Sequence, residues 1–153
     1  MTSLRVRVRA LPPTDPGLAR CHALRREVFI EEQRVPAEIE VDGRDSDCVH
    51  FLATDGDGCD VGSARLRVTG EGVAKAERVA VRASARGLGV GRALMRSLEA
   101  EAQAAGHDAV VLGAQAGAIA FYRRLGYSPL GPRFMEADIE HQMMRLLLGG
   151  SAG

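Results

Sequence analysis

The sequence contains no tryptophan, and its 153 residues include only four phenylalanines and two tyrosines. Lys75 is its single lysine, so arginine carries nearly all of the positive charge. Lysine and arginine together number 20, as do aspartate and glutamate, which makes the formal net charge zero. This balance argues against a nucleic-acid-binding protein that relies on a broad basic surface.

Cysteine and long apolar runs are scarce as well. Cys21, Cys48 and Cys59 are odd in number and lack CxxC spacing, which is typical of small core residues in a reducing compartment and not of a disulfide framework or metal site. No apolar run approaches the length of a membrane span, and the N-terminal MTSLRVRVRALPP lacks the apolar centre of a signal peptide. We therefore expect a cytoplasmic protein that binds no metal, no membrane and no nucleic acid.

The order of predicted strands and helices indicates a single α+β domain over residues 1–153 with a mixed sheet. Apolar alternation or continuous apolar runs predict strands at 4–10, 48–53, 60–68, 73–81, 108–114 and 141–148. Helices are predicted at about 15–29, from the glycine-rich segment to about 105, and at 118–125. The turn at 55–58 joins the second and third strands as a hairpin, and residues 149–153 are expected to be a frayed tail.

The segment ARGLGVGRAL, residues 85–94, places three glycines between a predicted strand and a predicted helix. Glycines let successive backbone N–H groups turn toward an anion, and the helix N-terminus adds partial positive charge. A Walker loop is excluded because Gly91 is followed by Arg-Ala, and a GxGxxG fingerprint fails because Arg92 occupies its third glycine position. The pattern that is left, R-x-x-G-x-G, predicts a pyrophosphate site; the alternative is a turn that only ends the strand.

Two further segments accompany this loop, and with them the chain resembles the GCN5-related N-acetyltransferase (GNAT) superfamily. In that family, R/Q-x-x-G-x-G/A between the fourth strand and the third helix cradles the pyrophosphate of acetyl-CoA. ERVAV at 77–81 is similar to the family's fourth strand, and AIAFYRRLGY at 118–127 to its fourth helix and the following turn. The resemblance covers roughly residues 48–148. It implies a GNAT fold, a mixed and mostly antiparallel sheet of six to seven strands flanked by about four helices.

A narrower resemblance, to one little-characterised bacterial branch of this superfamily, includes both ends of the chain. It is carried by VFIEEQRVP, the E-x-D-x-x-D pattern, VGSARLR, LGAQAGAIAFYRRLGY and FMEADIEHQMM. Members of the branch typically have glycine before the isoleucine of G-I-x-H, where this sequence has Asp138 before Ile139.

The resemblance implies a set of contacts with acetyl-CoA. The backbone of Val79, Ala80 and Val81 would pair with the pantetheine arm, and a peptide edge splayed there would polarise the thioester carbonyl. The pyrophosphate would be held, mostly by main chain, by Arg86, Gly87, Leu88, Gly89, Val90, Gly91 and Arg92. Whether the two arginine side chains contribute stays open. Gln115 completes the predicted cofactor contacts.

Three residues are candidates for proton transfer. Tyr122 matches the family position beside the sulfur and would donate a proton to the departing thiolate; the alternative is an aromatic ring packed in the core. The base that deprotonates the substrate would be Glu77 or His141. Strand alternation places Glu77 on the face of Val79 and Val81, and His141 is the only histidine of the family-like C-terminal segment.

The acidic segment at 31–47 is the expected substrate-facing region. Its carboxylates would attract a cationic amine, unless they form only a solvated loop. The predicted substrate-binding residues are Glu32, Glu40, Asp42 and Asp45. The expected function is transfer of an acetyl group from acetyl-CoA to a primary amine by direct attack in a ternary complex, in a monomer or a homodimer.

Two other functions stay open on the sequence. R-x-x-V-F, E-x-D-x-x-D and G-x-x-R-L also resemble acyl-homoserine-lactone synthases, which take acyl groups from acyl carrier protein and use S-adenosylmethionine as acceptor. The shared positions would be Arg25 or Arg26, Phe29, Asp42, Asp45 and Arg65. Those enzymes generally lack so complete an R-x-x-G-x-G loop and FYxxLGY. The other alternative is a non-catalytic CoA-binding module on the same scaffold.

Overall fold

A computed structural model describes residues 5–70 and 72–149. Its strands are β1 (Arg7–Leu11), β2 (Cys48–Thr54), β3 (Asp60–Gly70), β4 (Val73–Val81), β5 (Ala109–Gln115), β6 (Ser128–Glu136) and β7 (Ile139–Leu147). They form one sheet in the order β1-β2-β3-β4-β5-β7-β6. Within the described residues β4 and β5 are the only parallel neighbours. The predicted mixed, mostly antiparallel sheet is confirmed.

Four α-helices flank this sheet, as predicted. They are α1 (Leu18–Arg25), α2 (Ala37–Glu40), α3 (Val90–Ala104) and α4 (Ile119–Arg124). The first helix continues as a π-helical segment, Arg26–Glu32, in which the Gln33 N–H donates to the Val28 carbonyl five residues earlier. None of the helices in the described part of the chain is long and apolar enough to cross a bilayer.

The helices cover opposite faces of the sheet. Leu52 of β2 packs in a small cluster with Leu24 of α1, whereas its neighbours Phe51 and Ala53 pack in the main core. That core includes the buried face of α3, with Leu94 among its fully buried side chains. A Cβ atom on Gly62 of β3 would lie 2.9 Å from Leu94 Cδ1. The glycine therefore lets the start of α3 lie close against the sheet.

The sequence-based prediction missed β6 and misplaced some boundaries. β6 contains Pro129, Gly131 and Pro132, which are residues typical of loops, and it is tolerated because it lies at the edge of the sheet. Cys59 is exposed, although Cys21 and Cys48 are buried as predicted. Gly149 is the one residue of the predicted frayed tail that is described; residues 150–153 lie outside the described ranges.

A bulge interrupts the pairing of β3 with β4. Arg65 pairs with Glu77 and Ser63 pairs with Ala80. Ala64 is therefore the single residue of β3 that lies opposite the two intervening residues of β4. The extra residue bends β4 at the point where the sequence predicted the thioester contacts.

The bulge also reverses the side-chain alternation in the second half of β4. Arg78 has a φ of +55°, in the left-handed region that few non-glycine residues adopt. Glu77 shares its face with Ala80 because one residue is added between them. The prediction that Glu77 shares a face with Val79 and Val81 is wrong for this reason.

The parallel strands β4 and β5 pair only at their beginnings. The paired positions run from Val73 with Ala109 to Lys75 with Val111. Beyond them β5 pairs with β7 as far as Gln115, while no residue of β5 pairs with the second half of β4. This separation leaves one edge of β4 open, and the candidate site lies there.

Candidate active site

Two cavities meet where β4 and β5 separate. The loop cavity has a volume of about 580 Å³ and lies under the glycine-rich segment. The tail cavity has a volume of about 330 Å³ and lies beside the C-terminal β6–β7 hairpin. Gln33, Val79, Gln115, Ala118 and Tyr122 line both cavities. These five residues therefore form the junction between two binding spaces.

The loop cavity is built largely from backbone at the start of α3. Gly87 and Gly89 have φ values of +77° and +92°, and Gly89 is the last residue before the helix begins. A Cβ atom on Gly91 would lie 3.0 Å from Phe121 Cζ, so only glycine lets the Phe121 ring pack against this turn. The free N–H groups of a helix N-terminus thus face a cavity that suits an anion.

The structure brings most of the predicted cofactor residues to this cavity. Its lining includes Val79, Val81, Arg86, Gly87, Gly89, Val90, Gly91, Arg92 and Gln115. Leu88 and Ala80 do not line it. The side chain of Ala80 is buried on the face of β4 opposite to Val79 and Val81. Arg86 is held by Glu32, whose Oε2 accepts a hydrogen bond of 2.6 Å from Arg86 Nη1.

Tyr122 is placed by α4 at the junction, with its ring buried. It packs edge-on against Phe121, at 4.9 Å between ring centroids, and against Tyr127, at 5.8 Å. No side chain among the described residues forms a hydrogen bond with its hydroxyl. Burial raises the pKa of Tyr122 well above its ordinary value, so the hydroxyl stays protonated at neutral pH. Both the packing role and the proton-donor role are compatible with this position.

Glu77 lines the tail cavity, but its carboxylate is bound by cations. Arg65 Nη2 donates to Glu77 Oε1 over 2.8 Å and Arg67 Nε donates to the same oxygen over 3.0 Å. Burial alone would raise the pKa of Glu77, but the hydrogen bonds from Arg67 and Arg65 outweigh it and bring that pKa to about 2. A carboxylate with this pKa is a poor proton acceptor, which argues against Glu77 as the general base.

The predicted substrate-binding carboxylates are also occupied by arginines. Glu40 Oε2 accepts hydrogen bonds of 2.8 Å from both Arg25 Nη2 and Arg78 Nε. Asp45 Oδ1 accepts from Arg25 Nη1 over 2.8 Å and from Arg65 Nη1 over 2.9 Å. These contacts tie the acidic segment down onto the sheet. The expectation of a carboxylate that faces a substrate amine therefore needs correction at Asp45, whereas Glu40 lines the tail cavity with its carboxylate already bound by arginines.

The other two carboxylates of this set support the same correction. Asp42 forms hydrogen bonds with Arg65, which hold the pKa of Asp42 well below its usual range. Neither Asp42 nor Asp45 lines either cavity, and Glu32 lies by the glycine-rich segment, where it pairs with Arg86. Arg25 and Arg65 are 1% and 0% exposed, so this arginine–carboxylate network is part of the folded interior.

His141, the other candidate base, lies in the tail cavity with one ring nitrogen free. Its Nδ1 donates to the Ile139 carbonyl over 2.7 Å, because a carbonyl oxygen can only accept, and Nε2 is left with its lone pair. Nε2 lies 3.9 Å from Glu136 Oε2, and the ring stacks on Phe134 with 5.6 Å between centroids. The neutral imidazole is therefore oriented to accept a proton at Nε2.

Asp138, which stands where similar sequences have glycine, fits the tight turn before His141. Ala137 and Asp138 have φ values of +51° and +61°. Two successive residues in the left-handed region make the type I′ turn that suits a hairpin, and aspartate is among the residues that tolerate this conformation. The substitution of the glycine thus leaves the His141 position intact.

Sequence reasoning missed Gln33, which binds Gln115 across the junction. Gln115 Nε2 donates to Gln33 Oε1 over 2.8 Å, and Gln33 Nε2 donates back to Gln115 Oε1 over 3.3 Å. The two residues are 82 positions apart in sequence. Helical periodicity does not reveal Gln33, because the π-helical segment before it rotates the residues that follow.

Comparison with known proteins assigns the chain to a family. The profile described as the acetyltransferase (GNAT) domain matches residues 15–148. The chain belongs to the GNAT acetyltransferase family. This GNAT protein is 40% identical, over 124 residues, to the uncharacterised N-acetyltransferase YjcF of Bacillus subtilis, in an alignment that spans 80% of this chain and 87% of YjcF.

Solved structures agree with this assignment. An acyl-CoA N-acyltransferase from Pseudomonas aeruginosa is 33% identical, with a TM-score of 0.78 over 92% of this chain and 98% of the other. An aminoglycoside 6′-N-acetyltransferase complexed with coenzyme A has a TM-score of 0.77 over 96% and 99% of the chains, at 16% identity, and shares the fold. The family and these relatives support an acyl-CoA-dependent N-acyltransferase in general terms. The described residues contain no cluster of three or more His, Cys, Asp or Glu placed to hold a metal ion.

Proposed function

We propose that this GNAT protein transfers the acetyl group of acetyl-CoA to a primary amine by direct attack in a ternary complex. The observation that carries the proposal is the meeting of two separate cavities at Val79 and Tyr122. Two spaces with one common wall can hold donor and acceptor at the same time. The linings contain no cysteine or serine among the described residues, so the commonest nucleophiles of acyl-enzymes are missing from both.

The residues of the loop cavity fit acetyl-CoA. The backbone N–H groups at Gly87 to Gly91 and the start of α3 suit the pyrophosphate, since glycines leave the approach clear and the helix dipole favours negative charge. The open edge of β4 at Val79–Val81 offers N–H and C=O groups to the pantetheine amides, as a neighbouring strand would. When bound, acetyl-CoA supplies the activated acyl group.

Tyr122 and His141 divide the proton transfers between them. His141 Nε2 accepts a proton from the substrate ammonium, since Nδ1 is held by the Ile139 carbonyl. Tyr122 donates a proton to the sulfur as it departs, since burial keeps its hydroxyl protonated. Glu77 has no role in this scheme because its pKa of about 2 makes it too weak a base.

The lactone-synthase alternative receives less support. Four of the positions that the chain shares with those enzymes bind one another in the internal network and line neither cavity: Arg25, Asp42, Asp45 and Arg65. Phe29, the fifth, lines the tail cavity. The four network residues therefore explain stability in either kind of enzyme. The loop cavity, with glycines and a helix N-terminus that suit a pyrophosphate, favours the CoA-dependent reaction.

Thermal unfolding with acetyl-CoA, CoA or S-adenosylmethionine tests the donor site. Acetyl-CoA at about a hundred times its Kd stabilises the protein by about 2.7 kcal/mol. Gly89→Val places a side chain at φ +92° in the loop and should remove this stabilisation, whereas Gly58→Val imposes a similar strain at φ +81° in the remote β2–β3 turn and should keep it. Absence of any response to CoA compounds, or a response to S-adenosylmethionine alone, would overturn the proposal.

A further inference from the structure

We propose that the acceptor is an alkyl or arylalkyl monoamine, whose single ammonium group lies between His141 and Glu136 and whose apolar body fills the tail cavity. This inference rests on the proposed acetyltransferase function and names its substrate class. The inference rests on three observations. Most charged groups of the tail cavity are already paired, part of its wall is apolar, and the spacing of His141 Nε2 and Glu136 Oε2 suits one nitrogen atom.

The carboxylates of the tail cavity leave one negative charge for a substrate. Glu40, Glu77 and Glu136 are its lining carboxylates. The first two are held by arginine side chains at 2.8 Å, and each is bound by more than one. Among the described residues, Glu136 forms no ion pair with an arginine or lysine, and His141 Nε2 lies 3.9 Å from its Oε2. A substrate with one ammonium group is matched by this charge, and a polyamine or a polycationic amino sugar is not.

The cations of the tail cavity are also occupied. Lys75 Nζ lies 3.4 Å from Glu77 Oε2, and Arg78 Nε donates to Glu40 Oε2 over 2.8 Å. A substrate carboxylate would therefore have to displace an existing ion pair in order to bind. Free amino acids and other substrates with a carboxylate close to the amine are disfavoured for this reason.

Part of the wall of the tail cavity is apolar. Phe29 from the π-helical segment and Phe134 from β6 provide two aromatic surfaces, and Ile39 remains 45% exposed at the cavity. A Cβ atom on Gly113 would lie 3.6 Å from Phe134 Cζ, so the tip of the ring lies close to the backbone of β5. A cavity of about 330 Å³ is in the range of small-molecule sites. An apolar body of one or two rings, or a short alkyl chain, gains most by burial here.

The spacing of His141 and Glu136 suits one nitrogen atom. The His141 Nε2 and Glu136 Oε2 atoms lie 3.9 Å apart. A nitrogen at an ordinary hydrogen-bond distance of about 2.9 Å from each atom would bridge them at an angle of about 85°. In this position the carboxylate attracts the ammonium group, and Nε2, whose lone pair is free, accepts its proton. The neutral amine then attacks the thioester carbon, and the carbon–sulfur bond breaks. Tyr122 gives its proton to the departing thiolate, and the tyrosinate takes the second proton that the nitrogen loses as the amide forms, which restores the hydroxyl.

Two matched pairs of amines test the acceptor class. 2-Phenylethylamine and phenylalanine differ by one carboxylate, and hexylamine and 1,6-diaminohexane differ by one ammonium group. With acetyl-CoA saturating, kcat/KM measured by release of CoA thiol should be at least about tenfold higher for the first member of each pair, which corresponds to about 1.4 kcal/mol. Equal or reversed ratios would overturn the inference, as would turnover of none of the four amines by protein that acetyl-CoA still stabilises.

Glu136→Gln tests the position of the nitrogen. It should raise KM for 2-phenylethylamine about tenfold, because a charge-assisted hydrogen bond is lost, and leave inhibition by neutral 2-phenylethanol unchanged. Glu140→Gln removes the neighbouring carboxylate that pairs with Arg133 outside the cavity, and it should change neither value. An equal loss for the amine and the alcohol would contradict the placement. Stabilisation by acetyl-CoA separates these failures from failure of the donor site.

Discussion

The loop cavity and the tail cavity are built in different ways. The anion-binding end of the loop cavity is formed by one contiguous stretch of backbone, in which glycines at φ +77° and +92° lead directly into α3. The tail cavity is formed by side chains from the π-helical segment, β4, β5 and the β6–β7 hairpin. A site made from consecutive backbone leaves a motif in the sequence. A site made from side chains that are distant in sequence leaves no such motif. In the proposed function, a site of this second kind, the tail cavity, determines the acceptor.

The arginine–carboxylate network belongs to the tail side of this comparison. Arg25 and Arg65 tie the segment that carries Ile39 and Glu40 onto β3 and β4. None of the network's residues lines the loop cavity. Disrupting the network should therefore affect the two cavities unequally.

Arg65→Met is expected to have the largest effect on stability. It removes the one fully buried cation that Asp42, Asp45 and Glu77 share, and breaking a buried ion pair from one side costs about 3–5 kcal/mol of unfolding free energy. Urea denaturation measures this loss, with Arg145→Met on the exposed face of β7 as control. The folded fraction should keep its affinity for acetyl-CoA. A loss no greater than that of the control would contradict the role given to the network.

Tyr122→Phe tests the junction itself. We expect kcat to fall about 100-fold, or about 2.7 kcal/mol, because a general acid is removed while the ring packing is kept. Tyr127→Phe is the matched control, since it removes a buried hydroxyl that donates to Glu99 over 2.8 Å and should reduce stability without this loss of kcat. Steady-state kinetics decides the case. An unchanged kcat in Tyr122→Phe would indicate that the ring only packs.

Acid should weaken the network while leaving the loop cavity's backbone unchanged. The folded-state pKa values of Glu77 and Asp45, about 2, lie below their ordinary values, so the stability they contribute is complete above about pH 5 and is lost as the pH falls toward 2. Between pH 7 and pH 3 the loss should be about 2 kcal/mol. Urea denaturation at these two pH values measures it, and Arg65→Met should show a smaller change. Equal pH dependence in both proteins would contradict the assignment.

Gln33→Leu should have the smallest effect. It removes the amide bridge to Gln115, and we expect kcat/KM for the amine to fall about fivefold, or about 1 kcal/mol. If the two residues act as one unit, Gln115→Leu should lower kcat/KM by a similar factor, and the double variant should be little worse than either single one. Additive losses in this double-mutant cycle would show that the bridge does not position the junction.

The sequence predicted the donor side of this protein better than the acceptor side. The positions of six of the seven strands, the β2–β3 hairpin and the glycine-rich segment before α3 follow from local patterns, and the structure agrees with them. β6 was missed because its prolines and glycine mimic a loop. The Arg78 bulge was missed because alternation carries no sign of an added residue, and it moved Glu77 to a different face from Val79.

Charge was the least predictable property. The acidic segment looked like an attractant for an amine because the arginines that neutralise it lie up to 54 positions away in sequence. Glu136, whose carboxylate contacts only His141 within the described ion pairs, drew no attention because it stands alone. Pairing between distant charges is decided by tertiary contacts, and only the structure separates occupied carboxylates from available ones.

Binding of a bisubstrate analogue tests most directly whether the two cavities form one active site. The analogue is CoA joined through an acetyl bridge from its sulfur to the nitrogen of 2-phenylethylamine, with Kd measured by calorimetry. Linking two ligands that bind adjacent sites makes the second contact intramolecular, so the analogue should bind at least about 100-fold more tightly than CoA. Gly89→Val and Glu136→Gln should each weaken it. Affinity equal to that of CoA, with no effect of Glu136→Gln, would contradict a common site.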